Sequence, residues 1–202
     1  MAKYVFLVLF ITVSLTTSAQ LYQSAFHVGW STVVPLSDKE FTSKTSNAGV
    51  RVGFSKFMND RFGFGIEGSY NTLNDYVPLK IYELPGGAIS TDVYNYLNYF
   101  TIMANAQYYF IQGDKFIPYA SLGIGIAFSE YRIFYNVFKD TDNKNGFVVR
   151  PEVGTLFKIK EYSRWGLKSS LSYDYAVNKS DYFEIDNFSG IGFQIGVVLF
   201  TD

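Results

Sequence analysis

The sequence predicts an all-β fold: an eight-stranded antiparallel up-and-down transmembrane β-barrel preceded by a cleaved signal peptide. Three observations predict it. Eight stretches alternate apolar and polar residues with period two. The connections between them run long, short, long, short, long, short, long, the wiring of a single-chain membrane barrel with both termini at the short-turn rim. Aromatic residues are in surplus, 20 Phe, 17 Tyr and 2 Trp in 202 residues, and they gather near the expected strand ends.

Residues 1–19 read as an export signal. Lys3 precedes a short apolar run from Val5 to Val13, and Thr16, Thr17, Ser18 and Ala19 supply small residues before a cleavage site expected after Ala19. The run is far short of the roughly 20 residues a spanning helix needs. Residues 20–202 then form one barrel domain. With no cysteine, neither a disulfide nor a lipid-modified cysteine can hold the chain, so membrane attachment must come from the fold. Removing Lys3 leaves 16 basic and 18 acidic residues, a net charge of −2 with no basic face suited to nucleic acid.

Each strand follows from its alternation. The first, Leu21 to Val33, sets Phe26, Val28 and Trp30 against His27, Gly29 and Ser31. After a loop from Pro35 to Ser46, Val50, Val52 and Phe54 alternate with Arg51, Gly53 and Ser55. A tight turn is expected at Met58-Asn59-Asp60. Strand three sets Phe62, Phe64, Ile66 and Tyr70 against Gly63, Gly65, Glu67 and Ser69, and leads into the longest loop, Thr72 to Thr91, with Leu84-Pro85-Gly86-Gly87 at its tip. Strand four, about Val93 to Phe110, opposes Phe100, Ile102 and Tyr108 to Thr101, Met103, Asn105 and Gln107, and Gln112-Gly113-Asp114 turns the chain. Strand five carries Leu122, Ile124, Ile126 and Phe128, and the loop from Glu130 ends at Asn145-Gly146, a hairpin signal. Strand six sets Val149, Val153 and Phe157 against Arg150, Glu152 and Lys158; a turn spans Lys160 to Arg164. Strand seven opposes Trp165, Leu167 and Leu171 to Lys168, Ser170 and Asp174. A loop from Ala176 to Asn187 precedes strand eight, where Ile191, Phe193 and Ile195 face away from Gly192 and Gln194 and the phase blurs at Val198 and Phe200.

The polar face decides what surrounds the barrel. A soluble barrel would carry Lys, Glu and Asp there; this face is mostly Gly, Ser, Asn and Gln, which suit a narrow interior. The apolar face is therefore expected to meet lipid. Tyr94, Tyr96, Tyr99 and Phe100 at one end of strand four, Tyr108, Tyr109 and Phe110 at the other, and Phe57, Phe62, Phe116 and Trp165 beside the short turns are expected to form aromatic girdles.

From Tyr96-Leu97 through Tyr108-Tyr109-Phe110 to Pro118-Tyr119 and Gly123-Ile124-Gly125, the chain resembles the small outer-membrane β-barrel domain proteins of Gram-negative bacteria, of the OmpA/OmpX type. The resemblance covers Leu21 to the C-terminus. It implies the fold and the outer membrane, with outer-membrane lipid and lipopolysaccharide as neighbours and the barrel-assembly machinery as partner during insertion. Such proteins commonly end on an aromatic residue; here Thr201 and Asp202 follow Phe200.

Several motifs have simpler readings than the chemistry they suggest. Gly63-Phe64-Gly65-Ile66-Glu67-Gly68 spells a dinucleotide fingerprint but lacks the helix that must follow, so inward glycines explain it. The stretch from Asp140 to Gly146 resembles a calcium loop, yet Lys144 takes a ligand position and Pro151 the place of the bidentate Glu, so a polar hairpin tip is expected. Asn178-Lys179-Ser180 and Asn187-Phe188-Ser189 match a glycosylation sequon by coincidence. His27, the single histidine, faces the lumen with no nucleophile motif, so no catalytic, cofactor or metal site is assigned.

The inward charges form a candidate structural network. If the Met58 turn leaves three loop residues, Arg51 lies across from Glu67; if Ile159 pairs with Trp165, Arg150 lies across from Asp174, and Glu152, Lys158 and Lys168 extend the set. The expected function is a monomeric barrel with a structural or surface-interaction role and no catalysis. The alternatives are a narrow passive pore, a subunit of a transport or secretion complex, and a lipid-modifying enzyme using His27.

Overall fold

A computed structural model describes residues 23–201 except 38, 40, 85, 86, 112, 114, 136, 137, 162 and 184, and does not describe the side chains of 82–89. The export signal, Leu21 and Tyr22 of the first strand, Pro85 and Gly86 of one expected tip, and Gln112 and Asp114 of one turn lie outside the described residues.

Period-two sequences give strands whose side chains point alternately to opposite faces. These strands are β1 (Ser24–Pro35), β2 (Ser46–Phe57), β3 (Phe62–Leu84), β4 (Gly87–Tyr109), β5 (Phe116–Tyr135), β6 (Phe138–Lys158), β7 (Trp165–Ala176) and β8 (Phe188–Thr201). Each pairs antiparallel with its neighbours, and β8 pairs with β1 to close the barrel. Stepping across the pairs from Phe26 through Phe54, Ile66, Ala104, Ile124, Val149, Tyr175 and Ser189 returns to the first strand at Leu36, ten positions on. That stagger tilts the strands and leaves an interior that side chains alone can fill.

Apolar residues lie outside and charges inside. Ile66 is 64% exposed, Ile102 54% and Leu171 52%, whereas Arg51 and Asp174 are 0% exposed. Only a hydrocarbon surround makes that inversion stable. The protein spans a membrane through these strands.

Two expected loops are strand instead. Residues 72–91 and 130–145 continue as paired ladders, with Leu84 opposite Gly87 and Tyr135 opposite Phe138 flanking the tips. Asn145-Gly146 is no turn: the two residues pair with Phe128 and Ala127 inside β6, and the whole Asp140 to Gly146 stretch is ladder. Above the bilayer neither face is sorted by lipid, so alternation fades while backbone hydrogen bonding continues. β3 and β4 have 23 residues each against 12 in β1 and β7, and the surplus projects as a two-stranded hairpin.

The Met58 turn is longer than expected. The Asn59 Oδ1 accepts the N–H groups of Arg61 and Phe62, both at 2.8 Å, and Phe57 pairs with Gly63 instead of Arg61. Because the slip is two residues, every side chain keeps its face.

Candidate functional site

The lumen has three layers. Near the short-turn rim, Ala25, Phe57, Tyr109, Ile117, Tyr119, Leu156, Val198 and Phe200 form an apolar layer. Val198 and Phe200 thus keep phase with Gln194; what blurs in the sequence is an inward face that turns apolar. Near the other mouth a second apolar cluster includes Leu73, Leu97, Tyr99, Tyr131, Ile185 and Phe188. Phe57, Tyr99 and Tyr109, expected in the girdles, belong to these layers at 7%, 0% and 1% exposure; Phe62, Phe110, Phe116 and Trp165 do stand outside, at 50–56%.

Two connecting segments complete the upper layer. Phe41, from residues 36–45, enters the mouth with its ring 5.4 Å from Tyr131, and its carbonyl accepts from the Asn95 amide at 2.8 Å. Residues 177–187 contribute Ile185 and the fully buried Asn178, whose amide donates to Ser129 Oγ at 2.6 Å. Asn178 is therefore closed to glycosylation.

Between the layers six charged side chains meet. Arg150 binds Asp174 through two parallel bonds, Nε to Oδ1 and Nη2 to Oδ2, both 2.6 Å. The flanking pairs Val149 with Tyr175 and Glu152 with Ser172 set these two residues across from each other, and Ile159 N–H donates to Trp165 O at 3.2 Å. Arg150 Nη1 also donates to Glu67 Oε1 at 2.9 Å. Arg51 donates to Glu152 Oε2 at 2.8 Å and to Ser172 Oγ at 3.2 Å. It does not lie directly across from Glu67: the longer turn places Arg51 opposite Ser69 and Glu67 opposite Gly53, so Arg51 Nε and Glu67 Oε1 are 3.7 Å apart, an ion pair without a hydrogen bond.

The Lys168 ammonium, a three-proton donor, lies 3.2 Å from His27 Nε2, 3.3 Å from Glu152 Oε1 and 3.5 Å from Glu67 Oε2. His27 Nε2 also lies 3.3 Å from Glu67 Oε2, so it accepts from Lys168 when unprotonated and donates to Glu67 when protonated. Gly53 leaves room for this ring: a Cβ there would sit 2.7 Å from His27 Nε2. The Tyr119 hydroxyl donates to Glu152 at 2.5 Å. Lys158 lies in the lower layer, its ammonium 5.6 Å from the centre of the Phe200 ring.

Three cations (Arg51, Arg150, Lys168) thus face three carboxylates (Glu67, Glu152, Asp174), all at most 6% exposed. A neutral, mutually bonded set is how buried charge is tolerated. Its members can hold strands of opposite walls together. Among the described residues no group of three His, Cys, Asp or Glu could hold a metal ion, and His27 Nε2 faces Glu67 and Lys168. Gly63, Gly65 and Gly68 lie within β3, where no helix follows.

Sequence reasoning found the charges but missed Tyr119, His27 as a partner of Lys168, and both apolar layers. The available signal was the inward phase of Leu97, Tyr99 and Tyr109, which share parity with Thr101, Met103 and Gln107.

The model of the family described as outer membrane protein beta-barrel domain matches residues 5–199. No curated protein matches the chain. Among solved structures it is similar to Neisserial surface protein A, with TM-score 0.55, 15% identity and 90% of this chain covering 98% of that one. It is similar to Ail, the attachment invasion locus protein of Yersinia pestis, with TM-score 0.54, 13% identity and coverage of 88% and 97%. It is also similar to the outer membrane protease OmpT from Escherichia coli, with TM-score 0.50, 6% identity and coverage of 93% and 99%. Identities this low carry the fold alone, and the fold hosts more than one chemistry.

Proposed function

This chain belongs to the outer membrane protein beta-barrel domain family and resides in the outer membrane, and from that premise we propose that it is a closed, monomeric barrel with a structural or surface-interaction role and no catalytic step. One observation carries the reading: the lumen is filled from rim to rim by two apolar layers with a charge-neutral layer between them. A solute would have to displace buried rings and then break paired charges. What is left for interaction is the far end: residues 36–45, the β3–β4 and β5–β6 hairpins, and residues 177–187, raised above the lipid on a rigid support. Lipopolysaccharide surrounds this end, and insertion would fall to the barrel-assembly machinery.

The test is electrical. The refolded chain in planar bilayers should show no steady conductance above the bare membrane; large, persistent channels would replace this reading with that of a passive pore.

A further inference from the structure

Among the described residues, the upper apolar cluster holds one buried ring that no strand carries. Tyr99, Tyr131 and Phe188 stand on β4, β5 and β8, whereas Phe41 comes from a turn between β1 and β2. Its ring completes an aromatic box at the mouth. Tyr131 meets it edge to face at 5.4 Å, Phe183 lies 5.3 Å away, and the Tyr131 and Phe183 rings are 6.3 Å apart. Both of these walls have anchors of their own: the Tyr131 hydroxyl donates to Asn178 O at 3.3 Å, and the Phe183 N–H donates to Ser180 Oγ at 3.3 Å.

Beside the box, buried Asn95 presents a half-used amide. Its Nδ2 donates to Phe41 O at 2.8 Å, which fixes the orientation of the amide, while its Oδ1 has no hydrogen-bond partner. In an extended residue the N–H and C=O point to the same side, so one side-chain amide can bond both. In a turn they diverge. Phe41 therefore engages one arm of a two-armed receptor and leaves a buried acceptor unmade. The chain beyond it is held at the surface: Ser43, Lys44 and Thr45 are exposed, and Ser43 and Lys44 attach to Asp75 of β3 through contacts open to water.

We propose that this box is a binding site for a phenylalanyl residue of another polypeptide, presented in extended form, and that Phe41 is its built-in competitor. The incoming ring replaces that of Phe41 between Tyr131 and Phe183. The C=O of the same residue accepts from Asn95 Nδ2, and its N–H donates to Asn95 Oδ1. That second hydrogen bond is the ligand's advantage over Phe41; its handicap is the tether, which holds Phe41 beside the box at a high effective concentration. The contacts of Ser43 and Lys44 with Asp75 set the size of the handicap. Because one phenyl ring replaces another, the upper layer stays sealed when the ligand is bound. This inference rests on the proposed surface-interaction role and names the class of partner. Absence of binding in a barrel that leaves bilayers silent would sink the inference alone, whereas large channels would sink the closed-barrel reading.

The probe is the peptide acetyl-Ala-Phe-Ala-amide, fluorinated on its ring and titrated by fluorine NMR into the refolded, signal-free chain in lipid nanodiscs. Wild type should bind it at one site, and Asp75→Asn, which loosens the competitor, should bind it about tenfold more tightly. Methylating the backbone nitrogen of the peptide's phenylalanine should weaken binding to Asp75→Asn about tenfold, the effect of one buried hydrogen bond. Asn95→Ala should bind both peptides weakly and alike. Saturating peptide should also speed trypsin cleavage after Lys44 in wild type, because the Phe41 segment has left the box. Absence of binding to both wild type and Asp75→Asn overturns the proposal. So does an N-methyl peptide that binds Asp75→Asn as tightly as its parent, which would make the box a cavity for any aromatic group. Dimerisation of Asp75→Asn through its freed segment would give the box to a second copy and overturn it equally. The N-methyl comparison needs no change at Asn95, so it decides the matter even where Asn95→Ala fails to fold.

Discussion

Among the described residues Arg150 makes more side-chain hydrogen bonds than any other charge in the lumen: Asp174 twice, Glu67, Ser69 and Thr101. Removing one partner of such a set strands the others in a dry layer. Arg150→Ala or Asp174→Ala should each cost about 3 to 5 kcal/mol of unfolding free energy in detergent, and the double variant should cost clearly less than the sum of the two. Strictly additive losses would mean that water already reaches the pair. Arg150 and Asp174 could be matched from the sequence because the distance to the Lys160 turn is short and its register simple. Arg51 and Glu67 could not, because the side chain of Asn59 caps two N–H groups and lengthens the turn by two residues.

Barrel closure depends on β1 meeting β8, strands from opposite ends of the sequence. At their centre Gly29 pairs with Gly196, and a Cβ on Gly29 would lie 2.6 Å from Ile195 O and 2.8 Å from Gly196 Cα. The backbones leave no space there for a side chain. Gly196→Val should therefore slow or abolish refolding, read as loss of the heat-modifiable band, whereas Gly68→Ala, where the nearest atom would be 3.8 Å away, should refold normally. Efficient refolding of Gly196→Val would show that the seam can open. The segment of residues 36–45 is fastened differently, to the projecting part of β3. Burial opposes ionisation of Asp75, but the N–H and hydroxyl of Ser43 and the Lys44 ammonium outweigh it and hold this carboxyl below the usual aspartate range. A depressed folded-state value means that the stabilisation is complete above the ordinary aspartate value, about pH 4, and is lost as pH falls below it through the folded value. Cleavage of this segment by an acid-active protease should rise steeply below about pH 4, and Asp75→Asn should be cleaved readily even at neutral pH. A wild-type cleavage rate flat across that range would refute the fastening.

As a whole, the molecule is an inside-out protein with two seals in series. Tyr99→Ala with Phe188→Ala opens only the upper layer, and Tyr109→Ala with Phe200→Ala only the lower; either pair alone should leave planar bilayers silent, because the remaining seal and the paired charges still block passage. Conductance after opening one layer would mean that the other is not tight. Much of this architecture was legible in the sequence: the eight strands, the wiring, and the outward set from Phe26 to Val197. Each strand sorts its own residues against lipid with period two, a local rule that needs no knowledge of the neighbouring strand. The projecting hairpins were not legible, because above the lipid both faces meet water and the alternation that marks a strand disappears. Nor were the seals, since an inward Tyr99 or Phe200 looks like a lapse of phase until the opposite wall is known. The sequence by itself determined the lipid-facing stripe and hence the membrane. Tertiary structure alone decided which charges meet across strands that are not neighbours, because Arg51 with Glu152 and Arg150 with Glu67 join residues 101 and 83 positions apart, through a stagger summed over the turns of the barrel.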